Sequence, residues 1–386
     1  MENIGKWGLL IAVYMKKILV FLHTFEVGGV TRVLKGLYRD LDRTKFSMDF
    51  IRLNKEINDF DEEIISNGDK IYYYNDCPLN RIPVLNYKIQ QIKIAKQILK
   101  QIKGIHYDAI HIHANPIIGL YIGKKAKIPV RIMHTHEAIP DFGKNIETSW
   151  VSRMIWKSRQ KKYNRWATVK AGDSLKACKA KFGDQVEKDP NLCVLYPPVD
   201  MVKFNPETYG VETDIEKTVN ASAFNMIHVG RLAPVKNQSF MLDILSAMNK
   251  IRASELYIIG DGEQKDALRS YAKVKGVADK LHILPPDTSP AIYRKMQCSL
   301  LPSFSEAFGM VAVESQLMGV PCFASTNVPK DVDIGACQFL SIDESIDVWV
   351  NAILSFDYHN AGLDADRKKL FTAQNLLQQL EDIYNK

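Results

Sequence analysis

The chain has 386 residues, of which 46% are hydrophobic and 25% are charged. These values are typical of a globular protein with sizeable cores, and the length indicates two or three domains. The longest apolar run near the start, residues 7–15, has nine residues and is too short to span a bilayer. We interpret residues 1–15 as an N-terminal extension, with Met15 as a second possible start.

The charge is divided unevenly between the two halves of the chain. Residues 1–196 carry a net charge of +13, whereas residues 197–386 carry −6. This asymmetry indicates that the first half faces something anionic. The six cysteines contain no CxxC pair, which disfavours zinc and redox motifs and favours the cytoplasm.

Short apolar runs alternate with longer periodic segments along the chain. Strands are predicted at 17–22, 48–53, 70–74, 109–113, 130–134, 167–171, 192–195, 225–229, 255–259, 281–284, 298–301 and 320–324. Helices are predicted from Val30 and at 87–103, 237–250, 263–275, 289–296, 310–318 and 368–385. Such alternation predicts parallel sheets covered on both faces.

The alternation is broken by Pro197-Pro198, which excludes a helix there. The fold class is therefore α/β, with two Rossmann-like domains facing across a cleft. The predicted divisions are the extension 1–15, a first domain 16–197, a linker 198–222, a second domain 223–367 and a C-terminal helix 368–386.

A cationic loop follows the predicted strand 225–229. It contains Gly230, Arg231, Lys236 and Asn237. Glycine permits close backbone approach, the Arg231 guanidinium can bind phosphate with two hydrogen bonds, and Lys236 adds a point charge. Two solvated cations on an exposed loop would explain the motif equally well if it stood alone.

A second motif begins after the predicted strand 298–301. Glu306 lies in the loop, Gly309 lets the chain turn, and a helix starting at Met310 contains Glu314. A helix N-terminus offers unpaired N–H groups to phosphate. The apolar neighbours of Glu314 indicate a partly buried carboxylate with a partner. Together the two motifs predict a sugar-nucleotide site.

Other strand ends carry weaker signals. Gly28-Gly29 before a helix resembles a phosphate-binding turn but is not the GxGxxG of dinucleotide enzymes. His111 and His134 end two strands, and no acidic or cysteine ligand completes a zinc set. Asp261, between two glycines, either shapes a nucleotide pocket or makes a turn.

Two DxD sequences and two basic stripes complete the candidate features. Residues 331–333 and 364–366 lack the strand-end context of a metal site, so we interpret them as surface turns. The two stripes suit an anionic membrane surface better than nucleic acid, although a solvated face is the commoner outcome for one stripe. They comprise Arg153, Lys157, Lys161 and Arg165 beside tryptophans, and Lys93, Lys96, Lys100 and Lys103.

From Lys16 to its end, the chain resembles the group 1 retaining glycosyltransferases of GT-B architecture (carbohydrate-enzyme family four), and most closely the exopolysaccharide or capsule type. The most specific motifs are Gly230-Arg231-Leu232 with Lys236-Asn237, Gly260-Asp261-Gly262, and Pro302 through Glu314 followed by Gly319-Val320-Pro321.

The resemblance implies roles for individual residues. Arg231 and Lys236 would hold the donor diphosphate, Glu306 the donor sugar and Glu314 the ribose, while His136 would be the active-site histidine of the acceptor domain. The other donor-binding residues that it implies are Gly28, Gly29, Gly230, Asn237, Asp261, Leu284, Phe308, Gly309, Met310 and Val311. Pro285-Pro286 replaces a glycine of many relatives in a loop that recognises the base, so UDP and GDP both stay open.

The expected reaction is transfer of a hexosyl unit from a nucleotide sugar to the hydroxyl of a lipid-linked or saccharide acceptor, with retention and without a metal or other cofactor. The protein is expected in the cytoplasm, peripheral on the inner face of the membrane. Two other readings stay open, a sugar-nucleotide epimerase and a non-catalytic nucleotide-sugar-binding scaffold at the membrane. Only the epimerase would convert the donor without an acceptor.

Overall fold

The structure is a computed structural model that describes residues 15–22, 29–53, 57–75, 84–114, 116–137, 150–357 and 362–386. Its strands, in chain order, are β1 Lys16–Phe21, β2 Phe46–Leu53, β3 Ile71–Tyr74, β4 Ala109–Ile112, β5 Val130–Thr135, β6 Val169–Gly172, β7 Leu192–Val194, β8 Phe224–Val229, β9 Ser254–Ile259, β10 Leu281–Leu284, β11 Cys298–Leu301, β12 Cys322–Ser325 and β13 Cys337–Leu340.

The α-helices alternate with these strands. They are α1 Gly29–Asp40, α2 Asp59–Ser66, α3 Val84–Gln101, α4 Pro116–Lys125, α5 Trp150–Trp166, α6 Leu175–Phe182, α7 Asp214–Lys217, α8 Gln238–Met248, α9 Lys265–Val274, α10 Met310–Leu317, α11 Ile346–Ser355, α12 Ala365–Lys369 and α13 Ala373–Tyr384. Within the described ranges, no helix is long and apolar enough to cross a membrane.

The strands form two sheets with the same winding. The first has the order β3-β2-β1-β4-β5-β6-β7, and the second has β10-β9-β8-β11-β12-β13. Every neighbouring pair of the second sheet is parallel, as are the pairs made by β1, β2, β3, β4 and β5. In both sheets the order reverses beside the first strand, which is the doubly wound Rossmann pattern. The predicted α/β fold of two Rossmann-like domains is therefore confirmed.

The core explains why these segments are strands. β4 and β9 are buried along their whole length, so both faces of each strand are covered, and most of their residues are apolar. Helix α8 covers the second sheet, because its Met241, Leu242 and Leu245 lie in the same hydrophobic core cluster as Leu256 of β9 and Leu300 of β11. The carboxyl edge of each sheet is left for loops.

Two compact units divide the chain. The first comprises the described residues of Met1–His134, Lys157–Lys170 and Leu377–Lys386, and the second those of Thr135–Trp156 and Ala171–Leu376. Within the first unit, Lys16 Nζ donates to the Tyr384 carbonyl oxygen at 2.9 Å. The prediction that the C-terminal helix returns to the first domain is confirmed; the predicted domain limits stay a prediction.

The elements differ from the sequence prediction in several places, and helices α2, α4, α6 and α11 were not predicted. The predicted helix 289–296 is a 3-10 helix, Pro290–Lys295, and an additional strand, β13, pairs with β12. The last helix starts at Ala373 because α12 precedes it as a separate turn. The segment predicted as a linker contains α7, whose Glu216 accepts from Arg294 at 2.8 Å. This bond holds the pKa of Glu216 well below its usual range and ties the segment to the second unit.

Candidate functional site

Two loops leave neighbouring strands at the point where the second sheet reverses its order. Residues 230–237 follow β8 and residues 302–309 follow β11, and β8 pairs with β11. Ligands of open parallel sheets bind at such a carboxyl edge. The topology therefore brings both predicted motifs to one place, although about seventy residues separate them.

Three contacts join the two loops. Lys236 Nζ lies 2.6 Å from Glu306 Oε1, the Phe304 N–H donates to the Val235 carbonyl at 2.9 Å, and Asn237 Nδ2 donates to the Pro302 carbonyl at 3.2 Å. The side chains of Lys236 and Glu306 are 22% and 10% exposed. The hydrogen bonds between the two loops therefore hold the Lys236 ammonium next to the Glu306 carboxylate.

Only one of the two oxygens of the Glu306 carboxylate accepts hydrogen bonds from the described residues. Its Oε1 accepts from Lys236 and from the Ser303 hydroxyl, the latter at 2.7 Å. Among the residues that the structure describes, nothing donates a hydrogen bond to Oε2. A charged oxygen with spare accepting capacity can bind a sugar hydroxyl.

Helix α10 begins at this site. Gly309 is its N-cap residue with φ +105°, and no side chain caps the first N–H groups. A helix N-terminus without a cap presents donors and partial positive charge to an anion. Phe308 and the face of α10 that carries Val313 pack in the core, and Glu314 is 7% exposed. The core therefore fixes the start of the helix, where Met310 and Val311 lie.

Arg231 does not share a partner with Lys236. Its Nη2 lies 3.1 Å from Glu263 Oε2, and the two side chains are 72% and 49% exposed. Such a surface pair is worth about 0–1 kcal/mol, so the guanidinium can exchange partners at little cost. The predicted role of Arg231 with phosphate stays a prediction.

The glycines around Asp261 serve close packing. A Cβ atom on Gly260 would lie 2.0 Å from the Gly230 carbonyl oxygen, and the Leu232 N–H donates to the Asp261 carbonyl at 2.9 Å. Leu284, the last residue of β10, accepts from the Gly260 N–H at 3.0 Å. The exposed Asp261 side chain has its pKa lowered by the Gly262 N–H and by Lys265. Residues 260–262 therefore pack closely against the Gly230 loop and accept a hydrogen bond from it.

Two residues that the sequence analysis missed lie under this loop. His228 is fully buried, its Nδ1 is 2.9 Å from the Leu300 carbonyl oxygen, and burial lowers its pKa to about 4. Gln238 Nε2 donates to the Arg231 carbonyl at 2.8 Å and approaches His228 Nε2 at 3.4 Å. A neutral histidine with its hydrogen on Nδ1 satisfies all these contacts. A histidine near the end of an apolar strand was the available signal.

His136 has a carboxylate partner. It follows β5 directly, and its Nδ1 lies 2.9 and 3.0 Å from the two oxygens of Asp173, after β6. The sequence analysis did not select Asp173, because the chain order separates the two residues. Gly29 is the first residue of α1, whereas Gly28 lies outside the described residues.

The other strand-end histidines make structural contacts. In the first unit, His111 Nδ1 lies 2.9 Å from the Tyr384 hydroxyl, and its Nε2 lies 3.1 Å from His134 Nδ1. Ring nitrogens of His111, His113 and His134 all lie within 4.8 Å of one another. Both nitrogens of His111 nevertheless have protein partners, so these contacts link β4, β5 and α13.

Both DxD sequences are engaged in turns. Asp331 accepts from the Tyr196 hydroxyl at 2.8 Å, and Asp333 accepts from the Gly335 and Cys337 N–H groups. Asp364 accepts from two N–H groups at the start of α12, and Asp366 pairs with Lys369 at 2.9 Å. These contacts agree with their interpretation as surface turns.

The basic residues lie on exposed helix faces. All four of the stripe on α5 are exposed, as are the four lysines of the second stripe on and just after α3. On α5, Trp150 is 72% exposed and Met154 is 61% exposed. A helix that presents cations together with large apolar side chains has the composition of a membrane-surface helix.

Comparison with known proteins gives a consistent family. Residues 223–356 match the model of the "Glycosyl transferases group 1" family. The EpsF protein of Bacillus subtilis (strain 168), whose name classes it provisionally as a glycosyltransferase, is 26% identical over 88% of this chain and 87% of its own. A D-inositol 3-phosphate glycosyltransferase of Paenarthrobacter aurescens (strain TC1) is 26% identical over 65% of this chain and 63% of its own.

Solved structures show the same fold at low identity. Anabaena HepE in complex with UDP and glucose has a TM-score of 0.68 at 18% identity, covering 97% of this chain and 100% of its own. Sucrose-phosphate synthase from Thermosynechococcus elongatus has a TM-score of 0.73 at 14% identity, covering 96% and 98%. By its family match, its relatives and its two doubly wound sheets, the chain resembles the group 1 glycosyltransferases, and its fold has the GT-B architecture.

Proposed function

We propose that the chain is a retaining hexosyltransferase that moves a sugar from a uridine diphosphate donor to an acceptor hydroxyl without a metal. The observation that carries the proposal is the Lys236–Glu306 pair, 2.6 Å apart, beside the uncapped start of α10. A phosphate-binding group and a sugar-binding group then lie next to each other. A sugar nucleotide carries a diphosphate and a sugar, so its binding needs both kinds of group at one site.

Each group at the site has a task in binding the donor. The Lys236 ammonium has three hydrogens, so it can keep its bond to Glu306 and still donate to a phosphate oxygen. Glu306 Oε2 accepts a hydroxyl of the donor sugar. Arg231 leaves its weak surface pair for the diphosphate, and Glu314, fixed in α10, accepts from the ribose.

The same groups favour bond cleavage. Negative charge develops on the diphosphate as the glycosidic bond breaks, and donors fixed around that position stabilise it. Lys236, Arg231 and the N–H groups of α10 supply positive charge there, which is the reason for proposing a metal-independent reaction. Retention and the choice of a hexose follow from the family resemblance.

The base and the acceptor are further parts of the proposal. Anabaena HepE has been solved with UDP-glucose, which favours UDP over GDP for this chain as well. His136, held by Asp173, is proposed to contact the reacting sugar. A lipid-linked or polysaccharide precursor as acceptor suits the exposed basic and apolar residues of α5.

The proposal is tested with Lys236→Ala and a matched Lys217→Ala variant, which removes an exposed cation that pairs with Asp214 at 2.8 Å. A charged hydrogen bond contributes about 1.5–3 kcal/mol. We therefore expect kcat/KM for UDP-glucose to fall about tenfold to a hundredfold in Lys236→Ala and to stay within about twofold in Lys217→Ala.

Turnover is measured as sugar transferred to lipid-linked and soluble saccharide acceptors. Equal rates for Lys236→Ala and the unchanged protein would contradict the proposed role of the pair. Conversion of UDP-glucose to another UDP-sugar without any acceptor would indicate an epimerase. Nucleotide binding without either reaction would indicate a non-catalytic scaffold.

A further inference from the structure

Three polar side chains at the junction between β6 and α6 each hold a different part of the second unit. Asp173 and Ser174 lie between the strand and the helix, and Lys176 is the second residue of α6. None of the three belongs to the donor-binding motifs. Their partners are His136 and two loops that follow strands of the second sheet.

Ser174 makes one bond more than a helix cap requires. Its hydroxyl is fully buried and accepts from the Ala177 N–H at 3.0 Å, which is the ordinary N-cap bond of α6. The hydroxyl hydrogen is then donated to the Ala307 carbonyl oxygen. Ala307 is the residue after Glu306, so this bond fixes the backbone of the loop that carries the carboxylate.

Lys176 reaches the neighbouring loop. Its ammonium donates to the Asn327 carbonyl oxygen, just after β12. Burial lowers the pKa of Lys176, and the negative charge of Glu306 opposes that shift. The same loop begins at Ser325, whose hydroxyl donates to the Ser303 carbonyl at 2.6 Å. Lys176 and Ser325 therefore connect this loop to both the junction and the Glu306 loop.

Asp173 holds His136. Both carboxylate oxygens lie within 3.0 Å of Nδ1, and the side chains of Asp173 and His136 are 13% and 16% exposed. An acceptor at Nδ1 places the ring hydrogen of a neutral imidazole on that nitrogen. Asp173 thus fixes both the orientation and the tautomer of the imidazole.

We propose that the β6–α6 junction is a positioning element of the transferase site, in which Asp173 acts through His136 and Ser174 acts through Ala307 on Glu306. The proposal rests on the proposed function for its kinetic consequences only. The junction makes the geometry of the histidine and the geometry of the Glu306 loop depend on two consecutive residues.

The first test compares Ser174→Ala with Asn58→Ala. Both remove an N-cap side chain, but Asn58 caps α2 of the first unit through the Phe60 and Asp61 N–H groups. Only Ser174→Ala is expected to speed amide hydrogen exchange in residues 303–309 and to raise the KM for UDP-glucose, about threefold to tenfold for one lost neutral hydrogen bond. Unchanged exchange in this loop, or the same change in Asn58→Ala, would overturn the role of Ser174.

The second test is a double-mutant cycle of Asp173→Asn and His136→Gln. If Asp173 acts through His136, the double variant loses no more kcat than His136→Gln alone, whereas independent effects would multiply. If the losses of kcat in the two single variants multiply in the double variant, the role of Asp173 is overturned. If the unchanged protein transfers no sugar, the proposed function fails by itself, and amide exchange in residues 303–309 still decides the role of Ser174.

Discussion

At the residue scale, the candidate site differs from an ordinary charged surface because burial and backbone hydrogen bonds fix the positions of two of its charged groups. Lys236 and Glu306 are largely buried and lie on loops whose backbones are bonded to each other. Arg231 lies in an exposed pair with Glu263. We therefore expect Lys236 to be in place before the donor arrives and Arg231 to be recruited by it.

His228 gives a pH prediction at the same scale. Its pKa of about 4 lies below the value near 6.5 of an unfolded histidine, so the unfolded chain binds more protons between these values. Stability is therefore lost as the pH falls through this window, by about 2 kcal/mol between pH 7 and pH 5. We expect His228→Asn to remove that part of the loss.

The measurement is urea unfolding of the second unit at pH 7 and pH 5, with and without His228→Asn. Glu216, whose pKa is lowered by Arg294, titrates below this window and contributes little to the difference. The same difference in stability between the two pH values in both proteins would show that His228 is not the group responsible.

At the element scale, the turn before α10 decides where the proposed phosphate-binding groups lie. Gly309 has φ +105°, and a Cβ atom there would lie 3.3 Å from both Leu301 Cδ2 and Val328 Cγ1. A side chain in this backbone region costs of order 1–3 kcal/mol. The chain can lower this cost only by moving the turn, and the start of α10 with it.

We expect Gly309→Ala to weaken UDP-glucose binding as well as stability. Gly319→Ala is the control, because Gly319 also has a positive φ, +78°, but has nothing within 4 Å of its Cβ position. The control should be destabilised by about 1–2 kcal/mol and keep its donor affinity. Calorimetric titration and thermal unfolding measure both quantities, and equal affinities in the two variants would refute the special role of this turn.

At the scale of the whole molecule, charge separates the two halves of the chain. The first half carries the excess of Lys and Arg, and the exposed stripe on α5 lies beside Trp150 and Met154. Cations near an anionic bilayer contribute about 1 kcal/mol each. We therefore predict that this face of the protein binds a polyanionic surface.

We expect the protein to co-sediment with vesicles that contain an anionic lipid and not with purely zwitterionic ones. Lys157→Glu with Lys161→Glu should reduce binding at least tenfold, since each reversal replaces attraction by repulsion. The control, Arg269→Glu with Lys273→Glu, makes the same change of charge on α9. Equal binding of the two double variants would argue against a role for α5.

The sequence was sufficient where local pattern and packing agree. Buried parallel strands such as β4 and β9 are mostly apolar, and their alternation with amphipathic helices leaves few folds to choose from. Prediction missed the ten-residue helices α4 and α11, and it also failed where the local signal was short, as in β13 and in the 3-10 helix at Pro290–Lys295. At such lengths, propensity is outweighed by pairing with neighbouring strands.

The residue types of the site could likewise be selected from the sequence, because cations, carboxylates and glycines occur together after the predicted strands 225–229 and 298–301. Their partners could not be. That Lys236 meets Glu306, that His228 and Gln238 support the Arg231 loop, and that Asp173 meets His136 all depend on which strands are neighbours. Strand order is set by burial over the whole sheet, so residues far apart in the chain become partners only in the folded protein.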